Sequence, residues 1–236
     1  MSKPVDDFSR AFYPFLHDEE RKPLELKEEL RFSLLEKVRE SIEVKQRFFS
    51  ENADEILAVS LKMATAFHRG KKLLVCGNGG SATDAQHIAV EFMHPIVVGR
   101  KSLPALCLAN DMAMVTAIGN DIGFADIFSR QIIAHGTEGD LLVGISTSGN
   151  SENLLHAVHT ARRMKLITIG LAGNDGGKLA TLKVERQLDY CLTVPTSSIH
   201  RIQESHVTLY HIIWDLVHEY LQHKSLLTTD RGGQNP

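Results

Sequence analysis

Five short apolar runs, each separated from the next by enough chain for a helix, constrain this sequence more than any other feature. They are Leu73-Leu74-Val75-Cys76, Leu106-Cys107-Leu108, Leu141-Leu142-Val143-Gly144-Ile145, Leu166 to Leu171, and Tyr190-Cys191-Leu192-Thr193-Val194 before Pro195. Runs without polar alternation mark strands buried on both faces, and the stretches between them supply the helical crossovers that parallel strands require. The pattern predicts an α/β fold: a doubly wound, five-stranded parallel sheet flanked by helices, with ligands outside the carboxyl ends of its strands. Helices are expected from about Ser81 to Met93, after Asp111, from about Ser151 to Met164, and from Ser198 or Ile199 to His223.

Ahead of the first run, apolar residues recur at helical spacing from about Leu24 to His68, through Leu34, Leu35, Val38, Ile42, Phe48 and Ile56. This predicts an N-terminal helical extension of two helices broken near Ser50-Glu51-Asn52, where Ser50 or Asn52 would cap the second. The chain is therefore divided into an N-terminal arm (1–30) anchored by Phe12 to Phe15, one domain with its N-terminal helices (31–224), and a polar, flexible tail (225–236).

Hydrophobic residues make up 43% and charged residues 23% of the chain, which is globular usage and argues against disorder or a repeat architecture. A net charge of −3, with no basic run beside an aromatic platform, excludes the footprint of a nucleic-acid binder. Cys76, Cys107 and Cys191 are too few and too scattered for a disulfide framework, and read as buried thiols in a reducing compartment. With no signal-like apolar region at the start and no uncharged run of about 20 residues, the expectation is a soluble, cytoplasmic protein without membrane or nucleic-acid partners.

Two loops carry the chemistry of anion binding. The first strand empties into Gly77-Asn78-Gly79-Gly80-Ser81 and the third into Ser146-Thr147-Ser148-Gly149-Asn150-Ser151, each followed at once by a helix. A helix N-terminus with free N–H groups favours an anion, and the hydroxyls of Ser146, Thr147, Ser148 and Ser151 add neutral donors, so the second loop suits a phosphate best. The same residue types also make tight turns and cap helices. Neither loop has the Lys-Ser/Thr ending of a nucleotide P-loop or the spacing of a dinucleotide fingerprint.

His87 and Glu91 stand four apart on the helix after the first loop and project from one face, a spacing that also fits a solvent-facing ion pair. On the last helix Gln203 and His211 are eight apart, about 12 Å along the axis and about 80° around it, so they share a small ligand only if it lies between them. His87, Glu91, Gln203 and His211 make an N/O donor set for a divalent metal such as zinc, although an amide is a poor ligand and no spacing rule demands the set.

Four motifs in order make the chain resemble the sugar isomerase (SIS) domain family, and within it the bacterial phosphoheptose isomerases, over roughly Leu35 to Leu221. They are Cys76-Gly77-Asn78-Gly79-Gly80-Ser81 with Asp84, His87 and Glu91; Gly119-Asn120-Asp121; Ser146 to Ser151; and Arg201-Ile202-Gln203-Glu204 leading to His211. The resemblance implies aldose–ketose isomerisation of a phosphosugar, with Glu91 as catalytic base and His211 as acid/base. It implies one zinc per subunit, held by His87, Glu91, Gln203 and His211. It further implies substrate contacts from Asn78, Gly79, Ser81, Asp121, Ser146, Thr147, Ser148, Ser151 and Gln203, and a homotetramer with sites formed between subunits. At position 200 the family pattern has an acidic residue that contacts substrate hydroxyls, whereas this chain has His200. Two other readings stay open: an isomerase of another phosphosugar, and a non-catalytic SIS sensor or scaffold that resembles the replication-initiator-associating proteins. The latter need not keep Glu91 and His211.

Overall fold

The computed structural model describes residues 23–227. In chain order the elements are α1 (Pro23–His68), β1 (Leu73–Gly77), α2 (Gly80–Met93), β2 (Ala105–Cys107), α3 (Met112–Asp121), α4 (Ser129–His135), β3 (Leu141–Ser146), α5 (Glu152–Arg163), β4 (Ile167–Gly173), α6 (Gly177–Val184), β5 (Tyr190–Val194) and α7 (Ile199–Gln222). Short 3₁₀ turns occupy Phe124–Asp126 and Lys224–Leu227. The five strands are parallel throughout, as the apolar runs predict, and stand in the order β2-β1-β3-β4-β5.

Alternate residues of each strand feed two cores. Leu73 and Val75 of β1 face Phe48, Val59 and Met63 of α1, Ile88 and Phe92 of α2, and Leu209, Tyr210 and Trp214 of α7. Leu74 and Cys76 face the other way, onto Phe128 and Ile132 of α4, Leu154 and Val158 of α5, and Leu179 of α6. Every residue of β1 and β3 is buried, which is why these strands carry no polar alternation. The chain winds from β1 to β2 on one side and returns to place β3 on the other. The topological switch point, where a cleft opens outside the sheet, thus lies between the carboxyl ends of β1 and β3.

The expected break near Ser50-Glu51-Asn52 does not occur, and one helix of 46 residues runs through it. Phe48, Asn52 and Ile56 lie one turn apart on a single face, and Phe48 and Ile56 are both buried, so the apolar stripe crosses the polar residues without changing phase. Asn52 is satisfied inside the helix by donating to the Phe48 carbonyl at 2.8 Å, and has no need of a cap position. Residues 23–30, expected in the arm, are helical from Pro23, a residue that the first turn of a helix accepts because its missing N–H would be unpaired there. By its contacts the chain divides between Glu40 and Ser41. The rest of the expected arm (1–22, with the Phe12 to Phe15 anchor) and tail residues 228–236 lie outside the described residues. Tail residues 225–227 belong to a 3₁₀ turn, and Leu227 is buried in the core.

Cys76 and Cys107 are buried and Cys191 is half-buried; no disulfide forms, and burial pushes all three thiols up. Among the described residues no helix is long and apolar enough to cross a membrane.

Candidate active site

The loop after β3 holds a cluster of hydroxyls. Ser146 Oγ lies 3.1 Å from Ser151 Oγ and 3.4 Å from Ser148 Oγ, and Ser148 Oγ also accepts from the Asn150 N–H at 3.2 Å. Ser151 occupies the N-cap of α5 yet makes no side-chain cap bond. Its hydroxyl is turned toward Ser146 instead, which removes the simplest structural reason for a serine there. The turn itself is fixed by Gly149, with φ +65° and a backbone so close to Gly176 that a Cβ would sit 1.9 Å from the Gly176 carbonyl oxygen. Thr147, half-buried, lies in the same loop.

The loop after β1 faces it across the switch point. Gly79 is the N-cap of α2, again without a side-chain cap, and Ser81 is buried in the first turn. Asn78 and Asn153, the latter in the first turn of α5, exchange two amide hydrogen bonds of 2.9 Å. They join the two phosphate-type loops directly.

On the same face of the sheet α7 runs parallel to α2 at a fixed offset. The Tyr210 hydroxyl meets His87 Nδ1 at 2.8 Å and Trp214 Nε1 donates to the Glu91 carbonyl at 2.7 Å, each pair separated by 123 residues. The Gln203 amide packs over Gly80 with the same offset, so tightly that a Cβ on Gly80 would stand 2.1 Å from Gln203 Nε2. Glu91 is third from the end of α2, where carbonyls lack helical partners, and Trp214 supplies one. Arg100 covers the Trp214 ring at 4.3 Å while pairing with Asp215 at 2.6 Å.

This registry brings His87, Glu91 and His211 together. One donor atom from each lies within 4.8 Å of the others; His87 Nε2 is 3.1 Å from Glu91 Oε1, and the two imidazole rings are 5.1 Å apart between centroids. The His87–Glu91 pair is therefore more than a surface ion pair, because a second histidine from another helix completes it. The donor set suits zinc: one carboxylate and two imidazoles, with His87 Nδ1 already engaged so that Nε2 faces the cluster. Donors around a tetrahedral ion at about 2.1 Å stand about 3.4 Å apart, so the donors here, all within 4.8 Å of one another, close by at most about 1.4 Å, and His87 Nε2 and Glu91 Oε1, at 3.1 Å, open slightly. Gln203 approaches from the N-terminal end of α2. It stands over Gly80, seven residues and about 10 Å along α2 from His87.

Asp121 ends α3, exposed, and accepts from Asn120 Nδ2 at 2.8 Å; none of its described hydrogen bonds reaches the loops or the histidines. His200 is exposed in the first turn of α7.

Tyr210 and Asn153, near the site, escaped the reading of the sequence, and Asp84 entered it only as part of a motif, without a role. Tyr210 is buried, and burial, with the negative charges of Asp84 and Glu91, pushes its phenol up. A buried tyrosine where leucine would pack as well signals a partner for its hydroxyl, a signal that the sequence does carry. Asp84, one turn before His87, is buried with Oδ2 lacking a partner; burial pushes its carboxyl up to about 6, partly offset by His87. Asn153 is buried and has no signal except its spacing from the serine loop.

Comparison with known proteins agrees with this geometry. Residues 38–173 match the family model described as SIS domain. A phosphoheptose isomerase of Nitratidesulfovibrio vulgaris is 43% identical over 80% of this chain and 88% of its own length, and one of Aneurinibacillus thermoaerophilus is 45% identical over 77% and 90%. The solved structure of a phosphoheptose isomerase from Neisseria gonorrhoeae superposes with a TM-score of 0.74 at 39% identity, covering 80% of this chain and 98% of that one. With strand order, loops and the histidine–glutamate cluster all in place, the chain belongs to the SIS domain family, in the group of the phosphoheptose isomerases.

Proposed function

We propose that this chain is an aldose–ketose isomerase that converts sedoheptulose 7-phosphate to D-glycero-D-manno-heptose 7-phosphate through an enediol, in heptose supply for surface glycans. The observation that carries the reading is the meeting of Glu91 with His87 and His211 on the sheet face that ends in two phosphate-type loops. The names of the similar proteins support the substrate.

The hydroxyls of Ser146, Thr147, Ser148 and Ser151 and the N-terminus of α5 hold the phosphate and leave the far end of the sugar to the α2–α7 face. Asn78, Gly79, Ser81, Asp121 and Gln203 bind and orient the sugar. Glu91 takes the carbon-bound proton; its Oε1 faces His87, which leaves Oε2 for the transfer. His211 passes a proton between the two reacting oxygens. His87, Glu91, Gln203 and His211 are the residues proposed to hold one zinc per subunit, and a zinc bound there supplies positive charge against the developing enediolate oxygen. The three clustered donors carry the metal reading, and Gln203 is the member that needs a separate test.

The protein is proposed to act in the cytoplasm as a homotetramer with sites completed between subunits. An apolar stripe on α1 supports the assembly: Leu30, Leu34, Leu35, Val38 and Ile42 are each more than half exposed. His200, where the family has an acid, favours a second reading, in which the same chemistry acts on another phosphosugar.

The test is to incubate the purified protein with sedoheptulose 7-phosphate, with and without zinc, and to follow C1–C2 isomerisation by NMR. Conversion that zinc enhances is expected. No conversion in either arm removes the heptose reading, and binding without conversion moves the assignment to a phosphosugar sensor or scaffold.

A further inference from the structure

We infer that Tyr210 is the positioning residue of His87, and that its hydroxyl reverses its hydrogen bond so that His87 can exchange Glu91 for a metal ion without moving its ring. The inference rests on the metal reading given above for His87, Glu91 and His211.

The argument starts from proton counting. An ionised carboxylate only accepts, so the 3.1 Å contact of His87 Nε2 with Glu91 Oε1 requires a proton on Nε2. In a neutral imidazole Nδ1 then carries a lone pair, and the Tyr210 hydroxyl 2.8 Å away donates to it. A cation taken up at Nε2 needs the opposite tautomer, because Nε2 must offer its lone pair and the proton belongs on Nδ1. A backbone carbonyl at that position would serve only the second state and a lysine only the first. A phenol serves both, since its O–H rotates from donating to accepting.

The surroundings fix the rest of the geometry. Tyr210 is 4% exposed, and its ring meets the rings of His87 and His211 edge to face, at 5.3 and 4.8 Å between centroids. His87 itself is exposed, with little packing of its own to choose a rotamer. Nδ1 of His87 is held by Tyr210, which is sequence-adjacent to His211, while the His211 ring meets that of His87 edge to face at 5.1 Å. This is a different role from that of Trp214, which ties α7 to the backbone of Glu91 and touches no donor atom of the cluster.

The experiment compares wild type with Tyr210→Phe, which keeps the ring and loses only the oxygen. Histidine side-chain ¹⁵N spectra of the metal-free proteins at pH 8, with His87 assigned by its loss in His87→Gln, should show Nε2–H with a hydrogen-bonded Nδ1 in wild type. In Tyr210→Phe the Nδ1 resonance should move to the position of an unbonded lone pair and the two tautomers should mix. Zinc affinity, measured by chelator competition, should fall about 10- to 100-fold, as for other residues that orient a metal-bound histidine, while the melting temperature stays within a few degrees. Identical His87 nitrogen resonances in the two proteins would overturn the inference, as would unchanged zinc affinity. A wild type that binds no zinc refutes the metal reading alone, and the nitrogen resonances then decide the role of Tyr210.

Discussion

The side-chain amides of Asn78 and Asn153 donate to each other's oxygens at 2.9 Å in both directions, and so lock the loop after β1 to the first turn of α5. Asn153→Ala takes both bonds from Asn78, leaving a polar side chain to be resolvated or stranded. A stability loss of about 1–3 kcal/mol is expected in urea denaturation. If Asn78 orients the substrate as proposed, KM should rise about tenfold with kcat changed far less, because the loop loses its position and the acid–base residues keep theirs.

Ser151 makes no cap bond, so its removal should be thermodynamically quiet. A capping serine changed to alanine usually costs about 1 kcal/mol. Ser151→Ala should cost less than half of that in thermal melts, while KM for the phosphosugar rises several-fold. A large melting shift with unchanged KM would return the loop to a purely structural role.

Glu91 holds Trp214 through its backbone and the site through its side chain, so the two can be separated. Glu91→Gln keeps the carbonyl and should keep the fold, seen in circular dichroism and in phosphosugar binding. Turnover should drop by at least about 10²- to 10⁴-fold, the range of general-base catalysis. Retained turnover would take the base away from Glu91.

Two buried groups should give opposite pH slopes. Asp84 is raised to about 6, so the folded state binds its proton before the unfolded chain does, and this group alone makes the protein more stable as pH falls through 6 toward 4. His206 is fully buried, with Nδ1 unpartnered and Nε2 donating to the Ala172 carbonyl at 3.1 Å, and burial lowers it to about 4. The unfolded chain takes up that proton first, so this group loses stability as pH falls from about 6.5 to 4. The windows overlap, and in wild type the two largely cancel. Denaturation midpoints between pH 4 and 7 should therefore fall with decreasing pH in Asp84→Asn and rise with decreasing pH in His206→Asn. Parallel curves for the two variants would refute the assignment.

The strands were legible because each is a run of apolar residues, and all but β2 are ended by a glycine, serine or proline; Tyr190–Val194 was read to the residue. The two shortest helices, α4 and α6, are seven and eight residues long, too short to display an apolar period above the noise of a loop. Within α1 Asn52 bonds back to Phe48 instead of capping a second helix, which no composition rule reveals. At the site, the spacing of His87 and Glu91 is local and was visible, but their meeting with His211 follows from the parallel course of α2 and α7, a tertiary fact. The 12 Å between Gln203 and His211 looked like an obstacle to one shared ligand. The two residues in fact keep step with α2, one over Gly80 and one beside His87.

That step at Gly80 has a consequence for how this protein can change. A Cβ at position 80 would stand 2.1 Å from the Gln203 amide nitrogen and would meet only the end of that flexible side chain, so a larger residue there displaces the glutamine amide and not the backbone. Positions 80 and 203 are therefore coupled through one movable group: what is placed at 80 sets where the amide of Gln203 points. Libraries that vary both positions together can move bulk between the last helix and the mouth of the cleft.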